Sequence, residues 1–296
     1  MTEVEAKQVF YRTLYTVLEA ELEVTTVSPL RIGSGRGVMV DEPDLPVIRG
    51  ADGKPIIPGS SLKGVFRGTL TRLLPQVKEE DLVYIFGGKI GEESTEEGGQ
   101  KSGKFSVASP LLFRDLLPTG SVRTAERQHI RIDPCRGGVQ EGGLFNVEYV
   151  PENVTFKGGI IARNFPVAVF AGLVCVVRTL INQDIVRLGG FKSRGYGSVK
   201  MNSLKYKINL RNRIVFETKL GSIRKDKINR LSYEVDEQAK MFRLDEVVDD
   251  KEYKKELPLI NFDKDIIGRY SAVFNGPEFD EFGKEVLEKW LTNGLV

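Results

Sequence analysis

The chain has 296 residues, 41% hydrophobic and 28% charged, with a net charge of +2; this is a globular balance, enough for one large domain or two ordinary ones, and it excludes a disordered chain. The longest apolar run, Phe165 to Val177, is too short to span a bilayer and contains Pro166, and the N-terminus shows no secretory pattern, so a cytoplasmic protein with no membrane partner is expected. Two cysteines, Cys135 and Cys175, and one histidine, His129, exclude a disulfide scaffold, a thiolate metal site and a multi-histidine metal site within one chain.

Residues 19–28 alternate in part, with Leu22 and Val24 on one face, and read as an early strand. Gly33-Ser34-Gly35-Arg36-Gly37 is a loop. A second loop, Pro55 to Gly59, leads into a stretch where Leu62, Val65, Phe66, Leu70, Leu73 and Leu74 fall on one helical stripe. Ser60 or Ser61 can cap that helix and Pro75 stops it. Residues 87–104 are rich in Gly, Ser and Glu and read as a mobile surface loop. Segments 105–113 and 121–132 read as strands, 133–143 as a hairpin tip or long loop, and 144–150 as a further alternating stretch. Residues 165–182 suit a buried helix or a buried strand; periodicity does not choose between them. A glycine-rich basic loop, Gly189 to Gly197, precedes an alternating strand near 198–208. After about residue 210 the chain turns polar and charged, with few clear periods until a helix at 278–292. This irregular interleaving implies an α+β domain on a small antiparallel sheet with insertions. No Walker A loop and no G-x-S-x-G elbow is present, which argues against nucleotide-driven and α/β-hydrolase chemistry.

The charge is unevenly placed. Residues 1–100 carry a net −5, residues 101–230 a net +14 from 23 Lys/Arg against 9 Asp/Glu, and residues 231–296 a net −7. A basic middle is the footprint of a polyanion, and nucleic acid is the usual one; a solvated basic face is the plain alternative. The most informative stretch is Leu188-Gly189-Gly190-Phe191-Lys192-Ser193-Arg194-Gly195-Tyr196-Gly197. Its glycines let backbone amides approach an anion, Lys192 and Arg194 add charge for phosphates, and Phe191 and Tyr196 offer faces for a base. A tight turn with its aromatics packed inward is the alternative.

That loop resembles the glycine-rich loop of the RAMP superfamily of CRISPR proteins. Two further stretches resemble signatures of backbone subunits of type III (Csm/Cmr) effector complexes. The first is Arg31-Ile32-Gly33-Ser34-Gly35, then Asp44-Leu45-Pro46-Val47-Ile48-Arg49, then Ile57-Pro58-Gly59-Ser60-Ser61-Leu62-Lys63-Gly64-Val65-Phe66-Arg67. The second is Ile132-Asp133, Gly142-Gly143-Leu144-Phe145, Glu148, Val150-Pro151 and Thr155-Phe156. The resemblance covers residues 20 to 205 or so.

It implies a ferredoxin-like fold, similar to an RNA recognition motif, with fingers and a thumb hairpin. Residues 1–210 would form this core and residues 211–296 a variant extension. The implied partners are CRISPR RNA, target RNA, other subunits of the complex and copies of the same chain. The implied RNA-binding residues are Arg31, Arg36, Lys63, Arg67, Arg131, Arg136, Gly189, Gly190, Phe191, Lys192, Arg194, Gly195, Tyr196 and Gly197. Lys63 and Arg67, four apart on one helix, face the same way. The family cuts target RNA with an aspartate and a divalent metal, Mg²⁺ or another. Its pattern falls on Asp44, with Asp41 and Glu42 close by. A purely structural RNA-binding subunit is the alternative. A related branch processes precursor CRISPR RNA with an acid–base histidine, but His129 sits just before the Ile132-Asp133 thumb signature rather than in an N-terminal helix or loop.

Overall fold

Residues Val17–Thr26 alternate inward and outward and form strand β1, whose Leu18, Ala20, Leu22 and Val24 are buried. The structure is a computed structural model that describes residues 13–37, 43–73, 82–90, 105–211, 213–222, 227–264, 269–274 and 276–292. After β1 come helix α1 (Gly59–Leu73), a short helix α2 (Val83–Phe86), and strands β2 (Gly88–Ile90), β3 (Phe105–Val107), β4 (Leu111–Phe113) and β5 (Leu117–Pro118). The long hairpin β6 (Ala125–Ile132) and β7 (Val139–Tyr149) follows, then β8 (Thr155–Arg163), helix α3 (Val167–Asn182) and β9 (Val199–Arg211).

The antiparallel order β9-β1-β8-β4 has α1 between β1 and β4 and α3 between β8 and β9. That is the β-α-β-β-α-β ferredoxin-like arrangement. The expected thumb is present: β6 and β7 form a two-stranded sheet of their own and turn at residues 133–138. Of the loop expected at 87–104, residues 88–90 are strand β2 paired with β3, and 91–104 lie outside the described residues.

The stretch after residue 210 differs from the expectation. It holds five strands, β10 (Arg213–Thr218), β11 (Asn229–Asp236), β12 (Met241–Val248), β13 (Lys251–Lys264) and β14 (Arg269–Phe274), then helix α4 (Gly276–Thr292). β14 pairs with β9, so the sheet continues to ten strands rather than staying small. Its alternation is plain once burial is known: Leu231, Tyr233 and Val235 on β11, and Phe242, Leu244 and Val248 on β12, point inward. Their outward neighbours are mostly charged, and charge hides the period.

α3 settles the choice between helix and strand at 165–182. Pro166 sits just before it, and the helix is apolar almost all round because the sheet lies on one side and α4 on the other. Trp290, Val286, Phe282 and Phe279 of α4 are buried. Asp280 of α4 accepts from Arg178 of α3 and, at 2.9 Å, from the Tyr206 hydroxyl of β9. The first amides of α3, on Val167 and Ala168, donate to the buried Glu246 carboxylate at 2.7 and 2.9 Å, and the Tyr233 hydroxyl donates to the same group. β12 thus supplies a cap that Pro166 cannot. No helix among the described residues is long and apolar enough to cross a membrane.

Candidate nucleic-acid interface

Three separated motifs converge on one cleft of about 590 Å³. The 31–35 loop contributes Arg31, Ile32, Gly33 and Gly35; α1 contributes Ser61, Gly64, Val65, Gly68 and Arg72; the glycine-rich loop contributes Gly189, Gly190 and Lys192. The α1 set recurs every three or four residues and is one helix face. No carboxylate lines the cleft among the described residues. Burial lowers the pKa of Lys192, and the Arg72 charge lowers it further. Arg31 is lowered by burial. Cations brought close together with no carboxylate in the described lining mark a place that favours an anion.

The glycine-rich loop has its shape for a steric reason. Gly189 has φ +72°, and a Cβ there would stand 2.2 Å from the Arg31 carbonyl oxygen. The Gly190 amide donates to that same oxygen at 2.8 Å. The two motif loops are therefore stitched backbone to backbone, which only glycine permits. Gly64 and Gly68 have the opposite character. They sit inside α1, and a Cβ added at either would meet nothing within 4 Å. Packing does not require them, and each weakens the helix. They keep the cleft floor low.

Asp44 lies in a short extended segment. The Ile48 amide donates to the Ile32 carbonyl at 2.8 Å, and the Gly37 amide to the Asp44 carbonyl at 3.1 Å, so 31–37 and 44–49 form a hairpin. Its other side meets the thumb base. Leu45 bridges Val147, and the exposed Asp44 carboxylate accepts from the Asn146 amide at 2.7 Å. Val47 N–H donates to the buried Glu148 at 2.8 Å, and Glu148 also pairs with Arg49. Asp41 and Glu42 lie outside the described residues.

Above the cleft the thumb meets the glycine-rich loop in an arginine–aromatic cluster. His129 stacks on Phe145 at 5.6 Å between centroids and faces Phe191 at 5.5 Å and Tyr196 at 5.9 Å. Guanidinium groups lie over these rings: Arg31 and Arg194 over Phe191 at 5.2 and 5.1 Å, Arg131 over Phe145 at 5.6 Å, and Arg127 over Tyr196 at 5.7 Å.

Of the residues singled out from the sequence, Arg31, Gly189, Gly190 and Lys192 meet in the cleft, while Phe191, Arg131 and Arg194 meet in the cluster beside it. Arg36 and Gly195 are exposed nearby in sequence, and Arg136 is exposed at the thumb tip. Lys63 does not join them. It lines a different depression, with Gly59, Ser109 and Arg163, and its charged neighbour is Arg67. The shared face of Lys63 and Arg67 is correct, but the cleft takes the Gly64–Gly68–Arg72 face. Tyr196 offers no face for a base: it is buried, and burial raises its phenol pKa. Gly197 is buried too, and its carbonyl accepts from the Leu188 amide at 2.9 Å. Arg72 and Arg127 were not singled out from the sequence, and Phe145 entered only as part of a motif, not as a contact residue. Helical spacing from Gly64 was the available signal for Arg72.

The RAMP superfamily model matches residues 23–200. The CRISPR system Cms endoribonuclease Csm3 of Methanocaldococcus jannaschii is 29% identical over 199 residues, which is 64% of this chain and 79% of that protein. A chain of the type III-B Cmr-beta cryo-EM structure in its apo state is 18% identical with a TM-score of 0.45, covering 63% of this chain and 97% of that one. The family match runs from the second half of β1 to the start of β9, more than half the chain, and includes all three motifs at the cleft. The chain belongs to the RAMP superfamily.

Proposed function

We propose that the chain is a backbone subunit of a type III CRISPR effector complex, that CRISPR RNA runs along the cleft, and that Asp44 takes part in metal-dependent cutting of target RNA. The observation that carries the RNA reading is the cleft itself, with cations Arg31, Arg72 and Lys192 over a glycine floor and no carboxylate among the described residues that line it. Single-stranded RNA held this way is bound mainly through phosphates. The M. jannaschii relative, named an endoribonuclease, supports the cutting role.

Asp44 suits a hard cation in a limited sense. No group of three or more His, Cys, Asp or Glu side chains gathers among the described residues. Asp44 would be a ligand from the chain, and RNA phosphate oxygens would complete the shell, as Mg²⁺ accepts. Such a cation supplies stabilisation of charge developing at the scissile phosphate. Asp44 also has a purely structural task, its bond to the Asn146 amide at the thumb base. That bond favours the second reading, an RNA-holding subunit that does not cut.

The two readings separate on the complex assembled with guide RNA and labelled target, with Mg²⁺ and with EDTA. Asp44→Asn keeps an acceptor for Asn146 but loses the charge. Cutting lost in both Asp44→Asn and Asp44→Ala, with guide binding retained, supports catalysis. Cutting undiminished in both but lost in Asp41→Ala moves the role to Asp41; cutting undiminished in all three leaves this chain the structural role. In parallel, Arg72→Ala and Lys192→Ala should each lower the salt dependence of RNA binding by about 0.7 in log–log slope. Lys63→Ala, outside the cleft, should change it less.

A further inference from the structure

The thumb is a two-stranded ribbon outside the main sheet. Its tip is exposed, and its apolar Ile130, Ile132, Val139 and Leu144 are largely uncovered. Two sets of contacts hold it. One is the 44–49 segment against β7. The other is the arginine–aromatic cluster, in which Arg127 lies over the Tyr196 ring and His129 Nε2 lies 3.1 Å from the Tyr196 hydroxyl. Tyr196 is buried, so it is the fixed side of this contact. The Arg127 guanidinium lies over the Tyr196 ring at 5.7 Å, and burial raises the phenol pKa, so the phenol keeps its proton. In the neutral imidazole tautomer whose Nε2 carries no proton, His129 accepts the phenol hydrogen, and the latch below is that tautomer.

We propose that His129 is a positioning residue: a neutral latch that fastens the thumb to the glycine-rich loop, so that the loop lining the cleft also sets the thumb's posture, and acid releases it. The purpose of the latch rests on the RNA reading given above; its existence does not.

Protonation at Nε2 would remove the acceptor and place another cation in a crowded site. The groups facing His129 are Arg127 from its own strand and Arg194 and Tyr196 from the loop, with Arg131 over Phe145 and Arg31 over Phe191 at the rim. Burial first, then Arg194 and Arg127, holds the imidazole pKa below the ordinary 6.5. The latch is therefore whole above that value and is lost as pH falls through the lowered one.

The hairpin carries its own reporter site. Cys135 is exposed at the tip and Cys175 is buried, so a thiol-reactive fluorophore marks the tip of the full chain. Anisotropy decay then reads thumb motion without RNA. At neutral pH, His129→Ala should raise hairpin opening about 2- to 10-fold, the range expected for one hydrogen bond. Tyr196→Phe keeps the ring and should move it the same way. His129→Gln, which can still accept, should restore part of the order and lack the acid transition that the wild type shows. A label as still in His129→Ala and Tyr196→Phe as in the wild type overturns the latch, as does an acid transition that persists in His129→Gln. Titration of the same samples with single-stranded RNA reads the cleft separately. A wild type that binds no RNA, with a thumb loosened by His129→Ala, defeats the functional reading and upholds the latch.

Discussion

Gly64 and Gly68 give the sharpest test of the cleft, because folding and binding pull them in opposite directions. Both lie inside α1, and an added Cβ meets nothing within 4 Å at either one. Glycine in a helix interior is about 1 kcal/mol less favourable than alanine, so replacing both by alanine should stabilise the chain by about 2 kcal/mol. For a protein of this size each kcal/mol raises the melting temperature by about 2–4 °C, so the double variant should melt about 4–8 °C higher. The two methyl groups stand on the floor of the cleft that Arg31, Arg72 and Lys192 surround. A phosphate lifted off that floor loses a charge-assisted hydrogen bond of about 1.5–3 kcal/mol, which weakens RNA binding about tenfold or more. Thermal unfolding and RNA titration at fixed salt measure both effects on one sample. Higher stability with unchanged RNA affinity would show that α1 does not face RNA. Lower stability would give the glycines a folding role and remove the argument from their presence.

Two further outcomes concern the unit after β9. Burial pushes the Glu246 carboxyl up to about 7 from an ordinary 4.5. The unfolded group releases its proton before the folded one does, so its contribution is full below about 4.5 and is lost as pH rises through 7. Glu246→Gln should flatten the chain's stability–pH curve in that window by up to one proton, about 1.4 kcal/mol per pH unit at the steepest; parallel curves from urea unfolding would refute this. Trp290, buried where α4 crosses Gly172 of α3, anchors the outer layer. Trp290→Ala should cost about 3–5 kcal/mol in chemical unfolding, and a loss under about 1 kcal/mol would mean that α4 contributes little.

Much of the ferredoxin-like half was legible because its signals are local. The Leu62–Phe66–Leu70 stripe marks α1, alternation marks β1, and the glycine-rich tip marks the thumb turn. The strands after residue 210 were not legible. On one side of that sheet Arg213, Glu234, Arg243 and Glu256 stand in a row across four strands, Arg213 beside Glu234, Glu234 beside Arg243, and Arg243 beside Glu256. Such cross-strand pairs satisfy one another in solvent. They also dilute the hydrophobic period that would have revealed the strands, and the inward Glu246 breaks it outright.

The site was legible in its residue types and less so in its geometry. Spacing shows that Lys63 and Arg67 share a helix face; it does not show which face a loop more than a hundred residues away will cover. That is decided by the Gly190 amide on the Arg31 carbonyl and by the space left at Gly64 and Gly68. The same reasoning corrects the reading of charge. The basic segment from 101 to 230 points to a polyanion, yet of the three cations lining the cleft only Lys192 belongs to it. Arg31 and Arg72 come from the first hundred residues, whose net charge is −5. Segment totals average over faces that never meet. An anion responds to the few charges the fold brings within reach, and here the fold does that gathering by setting α1 and the loop after β1 beside the loop after α3.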